Sequence, residues 1–121
     1  MERVKFIEHR EKKILHIDLS DCSVELALQI IEESKKIMRQ QLENSVLTLT
    51  DINNDNAFIP DLFHAMREFV QHNKPYVRAS AVIAYKDIHK LFVNTMASLS
   101  ERQFSVFDNV EEAKDWLVET Q

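Results

Sequence analysis

Glycine is absent from this chain of 121 residues. Glycine makes up about 7% of an average protein. Phosphate-binding glycine-rich loops, G-x-G-x-x-G dinucleotide turns and G-x-S-x-G nucleophile elbows all depend on the backbone room that glycine provides. Its absence therefore excludes several large classes of nucleotide-binding and hydrolytic enzymes.

Cysteine and long apolar runs are also scarce. Cys22 is the single cysteine and cannot form an internal disulfide, which is typical of a protein from a reducing compartment. The longest uninterrupted apolar run, residues 81–85, is far shorter than a membrane span. Residues 1–5 lack the apolar segment of a secretory signal. We therefore expect a cytoplasmic protein with no membrane span.

Positive charge is in deficit, because 15 Lys and Arg stand against 20 Asp and Glu, for a net charge of −5. A mildly acidic chain repels phosphate backbones, and no basic stripe with interleaved aromatic residues reverses this locally. We expect no nucleic-acid partner. With 45% apolar residues, the chain can bury a core without a disulfide or a metal, so residues 1–121 are predicted to form one domain.

The apolar pattern switches repeatedly between the periods of strands and helices. Two short N-terminal strands separated by the charged residues 9–13 indicate an antiparallel hairpin. The run 77–85 is apolar with almost no polar alternation, which is typical of a parallel strand covered on both faces. The full order β-β-α-β-α-β-α-β-α predicts an α/β fold: a mostly parallel five-stranded sheet with an antiparallel N-terminal hairpin strand and four helices.

Helix boundaries follow from spacing and capping signals. The first helix is predicted over residues 23–42, and Pro60 is predicted to begin the second. Asp87 is the expected cap of the third helix. The buried stripe predicted for that helix comprises Ile88, Leu91, Phe92, Thr95, Met96 and Leu99. The last helix is expected to bury Val110, Ala113, Trp116 and Leu117.

Two segments in the second half of the chain carry a resemblance to a known family. One is Lys74-Pro75 followed by the run 80–84, and the other is Phe104–Asp108 followed by Glu111–Leu117. Together with the element order, they resemble the STAS-like superfamily, in its group of stand-alone bacterial proteins similar to anti-sigma-factor antagonists. The resemblance implies a non-enzymatic regulatory module that binds another protein or forms a homodimer.

The phosphorylation switch of that family has no counterpart in this sequence. Antagonists with the switch resemble one another by a serine in an Asp-x-Ser-Gly segment that opens the helix after the third strand. The corresponding stretch here, residues 51–58, contains Asp51 but no Ser, Thr or Gly. We therefore expect an interaction module without this switch.

Open α/β sheets bind ligands beyond the carboxyl ends of their parallel strands, and three loops are expected to meet there. The longest of them supplies the main candidates: Asp51, Asn53, Asn54, Asp55, Asn56, Phe58 and Ile59. The flanking loops add Asp21, Tyr85 and Lys86. We predict a partner surface or pocket mouth at this edge. The alternative is that the Asn and Asp side chains only satisfy the turns of the loop itself.

Catalytic and metal-binding patterns are weak. Asp51, Asn53 and Asp55 match the first half of a calcium loop, but Asn56 and Leu62 occupy the places that require Gly and Glu. The five histidines lack the spacing of zinc ligands. No paired acid–base or nucleophilic residues are visible in the order. We expect neither an enzyme nor a bound metal or cofactor.

A carrier for an apolar small molecule or lipid is the alternative function. Stand-alone members of the same group also resemble the CRAL-TRIO lipid-transfer fold, in which the sheet and a movable helix enclose an apolar cavity. Phe63, Met66, Phe92 and Met96 are the candidates to line such a cavity here. The same four residues fit an ordinary core equally well.

Overall fold

The structure is a computed structural model that describes residues 1–119 of the chain. Five strands and four helices follow one another in this range. They are β1 (Val4–His9), β2 (Lys12–Asp18), α1 (Val24–Met38), β3 (Val46–Asp51), α2 (Pro60–Asn73), β4 (Val77–Ile83), α3 (Asp87–Ser100), β5 (Ser105–Phe107) and α4 (Val110–Glu119). The predicted order is confirmed.

The strands form one sheet in the order β1-β2-β3-β4-β5. β1 and β2 are antiparallel, whereas the other three neighbouring pairs are parallel, as predicted. Successive right-handed crossovers in one direction place their helices on one face of a sheet. Accordingly, α1, α2 and α3 cover one face, and α4 covers the other.

The two cores explain the apolar run over residues 81–83 at the end of β4. Val82 belongs to the larger core under α1, α2 and α3. Ala81 and Ile83 belong to the smaller core, where they meet Ala113 and Leu117 of α4. Both faces of this strand are buried, so a polar residue on either face would lose its water.

The buried face of α3 is narrower than predicted. Its buried apolar residues are Phe92, Val93 and Met96, whereas Ile88, Leu91 and Leu99 are exposed. The predicted stripe spans a wider arc than one helix face buries, and spacing alone does not show which part is covered. The prediction was therefore wrong for three of the stripe's apolar residues.

Some helix ends also differ from the prediction. α1 begins after Ser23, whose hydroxyl caps it, but ends at Met38 and leaves Leu42 81% exposed. Asn44 lies in the left-handed backbone region, so the chain leaves the helix before it. Asp87 is the first residue of α3 rather than its cap. The prediction that Pro60 begins α2 is confirmed.

At the start of α4, Val110 is exposed rather than buried. The preceding Asn109 caps the helix, because its Oδ1 accepts a hydrogen bond from the Glu112 N–H at 3.0 Å. Val110 therefore lies in the first, solvent-facing turn. Trp116 is partly buried and packs against Phe107, with 5.7 Å between the ring centroids.

The lack of glycine has a visible consequence in the backbone. Within residues 1–119, the non-glycine residues with positive φ are Arg10, Glu11, Asp21, Asn44 and Glu101. The left-handed region costs a residue with a Cβ atom about 1–2 kcal/mol. Arg10 and Glu11 form the two-residue turn between β1 and β2, and positive φ at both positions is what a type I′ turn requires. Glu101 ends α3 with φ 53° and ψ 39°.

Replacing Glu101 by glycine should raise the free energy of unfolding by about 0.5–1 kcal/mol, because glycine adopts this conformation without a Cβ clash. Urea denaturation measures the change. Glu101→Ala keeps the Cβ atom and is the matched control, for which we expect no gain. Equal stability of the two variants would contradict the assignment of the cost to the backbone.

Candidate functional site

Three loops meet at the carboxyl edge of the sheet. The longest, called the central loop here, comprises residues 52–59 and follows Asp51, the last residue of β3. Backbone hydrogen bonds join it to its neighbours, from the Asp21 N–H to the Asn53 carbonyl at 3.1 Å and from the Ile52 N–H to the Ile83 carbonyl at 3.1 Å. The parallel strand order therefore brings the predicted site segments together.

Asn53 connects these segments through its side chain. Its Nδ2 donates to Asp51 Oδ1 at 2.7 Å and to the Ile83 carbonyl at 3.3 Å. Its Oδ1 accepts from the Tyr85 N–H at 2.9 Å and lies 3.1 Å from His89 Nδ1. The Tyr85 N–H requires an acceptor, which determines the orientation of the amide. Asn53 is buried and links β3, β4 and α3.

His89 is absent from the predicted site, yet it lies at its centre. The side chain is 4% exposed, and its Nε2 lies 3.0 Å from Asp55 Oδ1. Both ring nitrogens thus lie within hydrogen-bond distance of acceptor oxygens of the central loop. The hydrogen bond from His89, and then the charge of Lys86 at 3.5 Å, lower the pKa of Asp55.

Asn54 fastens the central loop to the loop that follows β2. It is buried, and its Nδ2 donates to the Leu19 carbonyl at 2.8 Å and the Cys22 carbonyl at 3.2 Å. Its Oδ1 accepts a hydrogen bond from the Asn56 N–H at 2.8 Å, and Asn56 Nδ2 donates to the Cys22 carbonyl at 3.1 Å. These amide side chains therefore make hydrogen bonds that stabilise the loop itself. This agrees with the alternative stated above, in which the Asn and Asp side chains only satisfy the turns of the loop.

An open depression of about 360 Å³ lies beside these amides. Its lining comprises Asp21, Cys22, Ser23, Asn54, Asp55 and Asn56. The Cys22 thiol donates to the Leu19 carbonyl at 3.6 Å, and burial raises the pKa of Cys22. Both effects hold the sulfur as a thiol rather than the nucleophilic thiolate.

Exposed apolar side chains form the outer part of this edge. The apolar edge patch, as we call it, comprises Phe58, Ile59, Tyr85, Ile88 and Leu91, which are 40–54% exposed. The Phe58 ring meets the buried Phe92 ring edge-on, with 5.3 Å between centroids. This contact and the Asp55–His89 pair join the central loop to α3. Exposed apolar patches on globular proteins, when contiguous, mark interaction surfaces.

A cavity of about 50 Å³ lies between the sheet and the helices α2 and α3. Met66, Phe92 and Met96 line it, as expected for a cavity in this fold. Phe63 is outside the lining and packs against Phe58, with 6.0 Å between ring centroids. The polar residues of the lining are Thr48, Thr50, Asn73, Ser80 and Arg102.

Residues 1–119 contain neither a metal-binding cluster of side chains nor a membrane-crossing helix. No group of three or more His, Cys, Asp or Glu side chains in this range could hold a metal ion. No helix in the same range has the length and apolar character needed to cross a membrane.

Comparison of the chain with protein-family models, with curated proteins and with solved structures gives no match. The STAS-like resemblance therefore rests on the two sequence segments and on the element order. It stays a prediction.

Proposed function

We propose that this chain is a non-enzymatic protein-interaction module of the STAS-like type. It binds another protein or a second copy of itself through the apolar edge patch. The observation that supports this function is the group of exposed apolar side chains at the carboxyl edge of the sheet, where α/β proteins gather their ligands. A cytoplasmic location, expected from the single cysteine, belongs to the same proposal.

The rigidity of the loop beneath the patch supports a role in binding. Asn53, Asn54 and His89 are buried and hydrogen-bonded to at least two loop or strand segments. A surface that is ordered before binding loses less conformational entropy when the partner arrives. The polar residues of the loop thus contribute by positioning Phe58 and Ile59.

A non-enzymatic role is supported by the way the reactive groups are used. Asp51 Oδ1 accepts hydrogen bonds from Asn53, and both nitrogens of His89 face oxygens of the loop. Cys22 is held as a thiol. An acid, base or nucleophile must reach a substrate, whereas these groups are engaged with their own chain.

Site-specific photo-crosslinking in cells tests the proposal. A benzoyl-phenylalanine residue is placed at Ile59 or Leu91 in the patch, and at the exposed Glu32 or Lys36 on α1 as matched controls. We expect both patch positions to give the same defined adduct and the controls to give none. Sedimentation velocity of the purified chain then identifies a second copy as the partner if a dimer forms. Equal crosslinking from patch and control positions would contradict the proposal.

A second candidate function is the binding of a small apolar molecule. The cavity under α2 and α3 favours it, because Met66, Phe92 and Met96 supply apolar walls and methionine adapts to different shapes. Native mass spectrometry of freshly purified protein detects a co-purified molecule of this kind.

A further inference from the structure

The cavity under α2 and α3 contains a cation that lacks an anionic partner. Arg102, in the loop between α3 and β5, lines the cavity. No carboxylate within residues 1–119 forms an ion pair with its guanidinium, and burial lowers the pKa of Arg102 to about 10. The side chain is partly buried rather than enclosed, and a charge that is partly withdrawn from water is stabilised by an opposite charge beside it.

The hydrogen bonds of Arg102 use part of its donor capacity. Its Nη1 donates to the Val70 carbonyl at 3.0 Å, in the last turn of α2, and its Nη2 donates to Ser80 Oγ at 2.7 Å. The guanidinium also lies 4.8 Å from the centre of the Phe104 ring. The helix terminus and the ring both stabilise a cation. They explain the position of the side chain, and three of its five N–H groups have no acceptor within residues 1–119.

A second donor lies at the same end of the cavity. Asn73 belongs to the same last turn of α2 as Val70, is buried, and lines the cavity. Its Oδ1 lies 2.9 Å from His72 Nδ1, and its Nδ2 makes no hydrogen bond within residues 1–119. The cavity thus has apolar walls and, beside Arg102 and Asn73, N–H donors that no carboxylate of residues 1–119 accepts from.

We infer that this cavity binds a short-chain monocarboxylate. The inference rests on the second candidate function and names its ligand class. The planar guanidinium of Arg102 matches a carboxylate, with Asn73 as an added donor. The alkyl chain then lies among Met66, Phe92 and Met96. A water molecule needs about 10–15 Å³ of such space, so the cavity suits a ligand of about four or five non-hydrogen atoms, such as propionate.

The test is an NMR titration of the full chain with propionate and, separately, with neutral 1-propanol. We expect both to shift the Met66 and Met96 methyl signals, with propionate binding about tenfold more tightly, because a buried charge-assisted pair is worth at least that factor. Arg102→Gln should abolish this preference and leave 1-propanol binding unchanged. Arg102→Lys, which retains the charge, should keep part of the preference.

The comparison of the two ligands on the unaltered chain decides the question even if the Arg102 variants lose stability. Equal affinity for propionate and 1-propanol would overturn the carboxylate inference but leave small-molecule binding in place. No saturable shift with either ligand would overturn both. Propionate binding that persists unchanged in Arg102→Gln would overturn the assignment of the carboxylate contact to Arg102.

Discussion

Replacing Phe92 by alanine should lower the free energy of unfolding by about 3–5 kcal/mol. Phe92 is 1% exposed, and its ring meets those of Phe58 and Phe63 at centroid distances of 5.3 and 6.0 Å. Because the side chain also lines the existing cavity, its removal creates a larger void that the neighbours cannot fully fill. Urea denaturation monitored by circular dichroism measures the loss.

Leu91→Ala is the matched control for this variant. Leu91 is the preceding residue of the same helix and is 54% exposed, so its truncation should change stability by less than about 0.5 kcal/mol. The stripe predicted from the sequence places both residues on the buried face of α3, whereas in the structure Phe92 is buried and Leu91 is exposed. A loss in Leu91→Ala comparable to that in Phe92→Ala would contradict the orientation of α3.

The element order was predictable because the signals that end each element are local. Pro60 begins α2, and burial on both faces is visible in the apolar run at the end of β4. The width of the buried face of α3 was not predictable, since it depends on the neighbouring helix. Ile88 and Leu91 have helical spacing with Phe92, but the layer ends beside them.

The candidate site was predictable in place but not in detail. Carboxyl ends of parallel strands meet at one edge, so the loops that meet there followed from topology. The orientation of Asn53 and Asn54 depends on acceptors 30 and 35 residues away, at Ile83 and Leu19. The spacing of residues along the chain does not predict hydrogen bonds between residues so far apart in sequence.

His89 and Arg102 were missed for the same reason. The partners of His89 lie 36 and 34 residues earlier, and those of Arg102 lie 32 and 22 residues earlier. A histidine or an arginine beside a helix end is common on protein surfaces. His89 is buried and Arg102 partly buried, and burial is a property of the folded chain.

Replacing Asn53 by leucine should cost about 2–3 kcal/mol. The leucine side chain has a similar size but leaves the Ile83 carbonyl, the Tyr85 N–H and His89 Nδ1 without the hydrogen bonds that Asn53 provides. A buried polar group without a hydrogen-bond partner has given up its hydration without compensation, and this destabilises the folded state. Urea denaturation measures the stability, and amide hydrogen exchange at Tyr85 reports the local effect, which should be a loss of protection.

Asn94→Leu is the control, because Asn94 is an exposed residue of α3 and the same substitution there should change stability by less than about 0.5 kcal/mol. The Asn53 variant also separates the loop from the patch it supports. Every patch side chain is retained, so a weaker photo-crosslink from Ile59 in Asn53→Leu would show that partner binding depends on the ordered loop. An unchanged crosslink together with lost Tyr85 protection would show instead that the apolar side chains suffice.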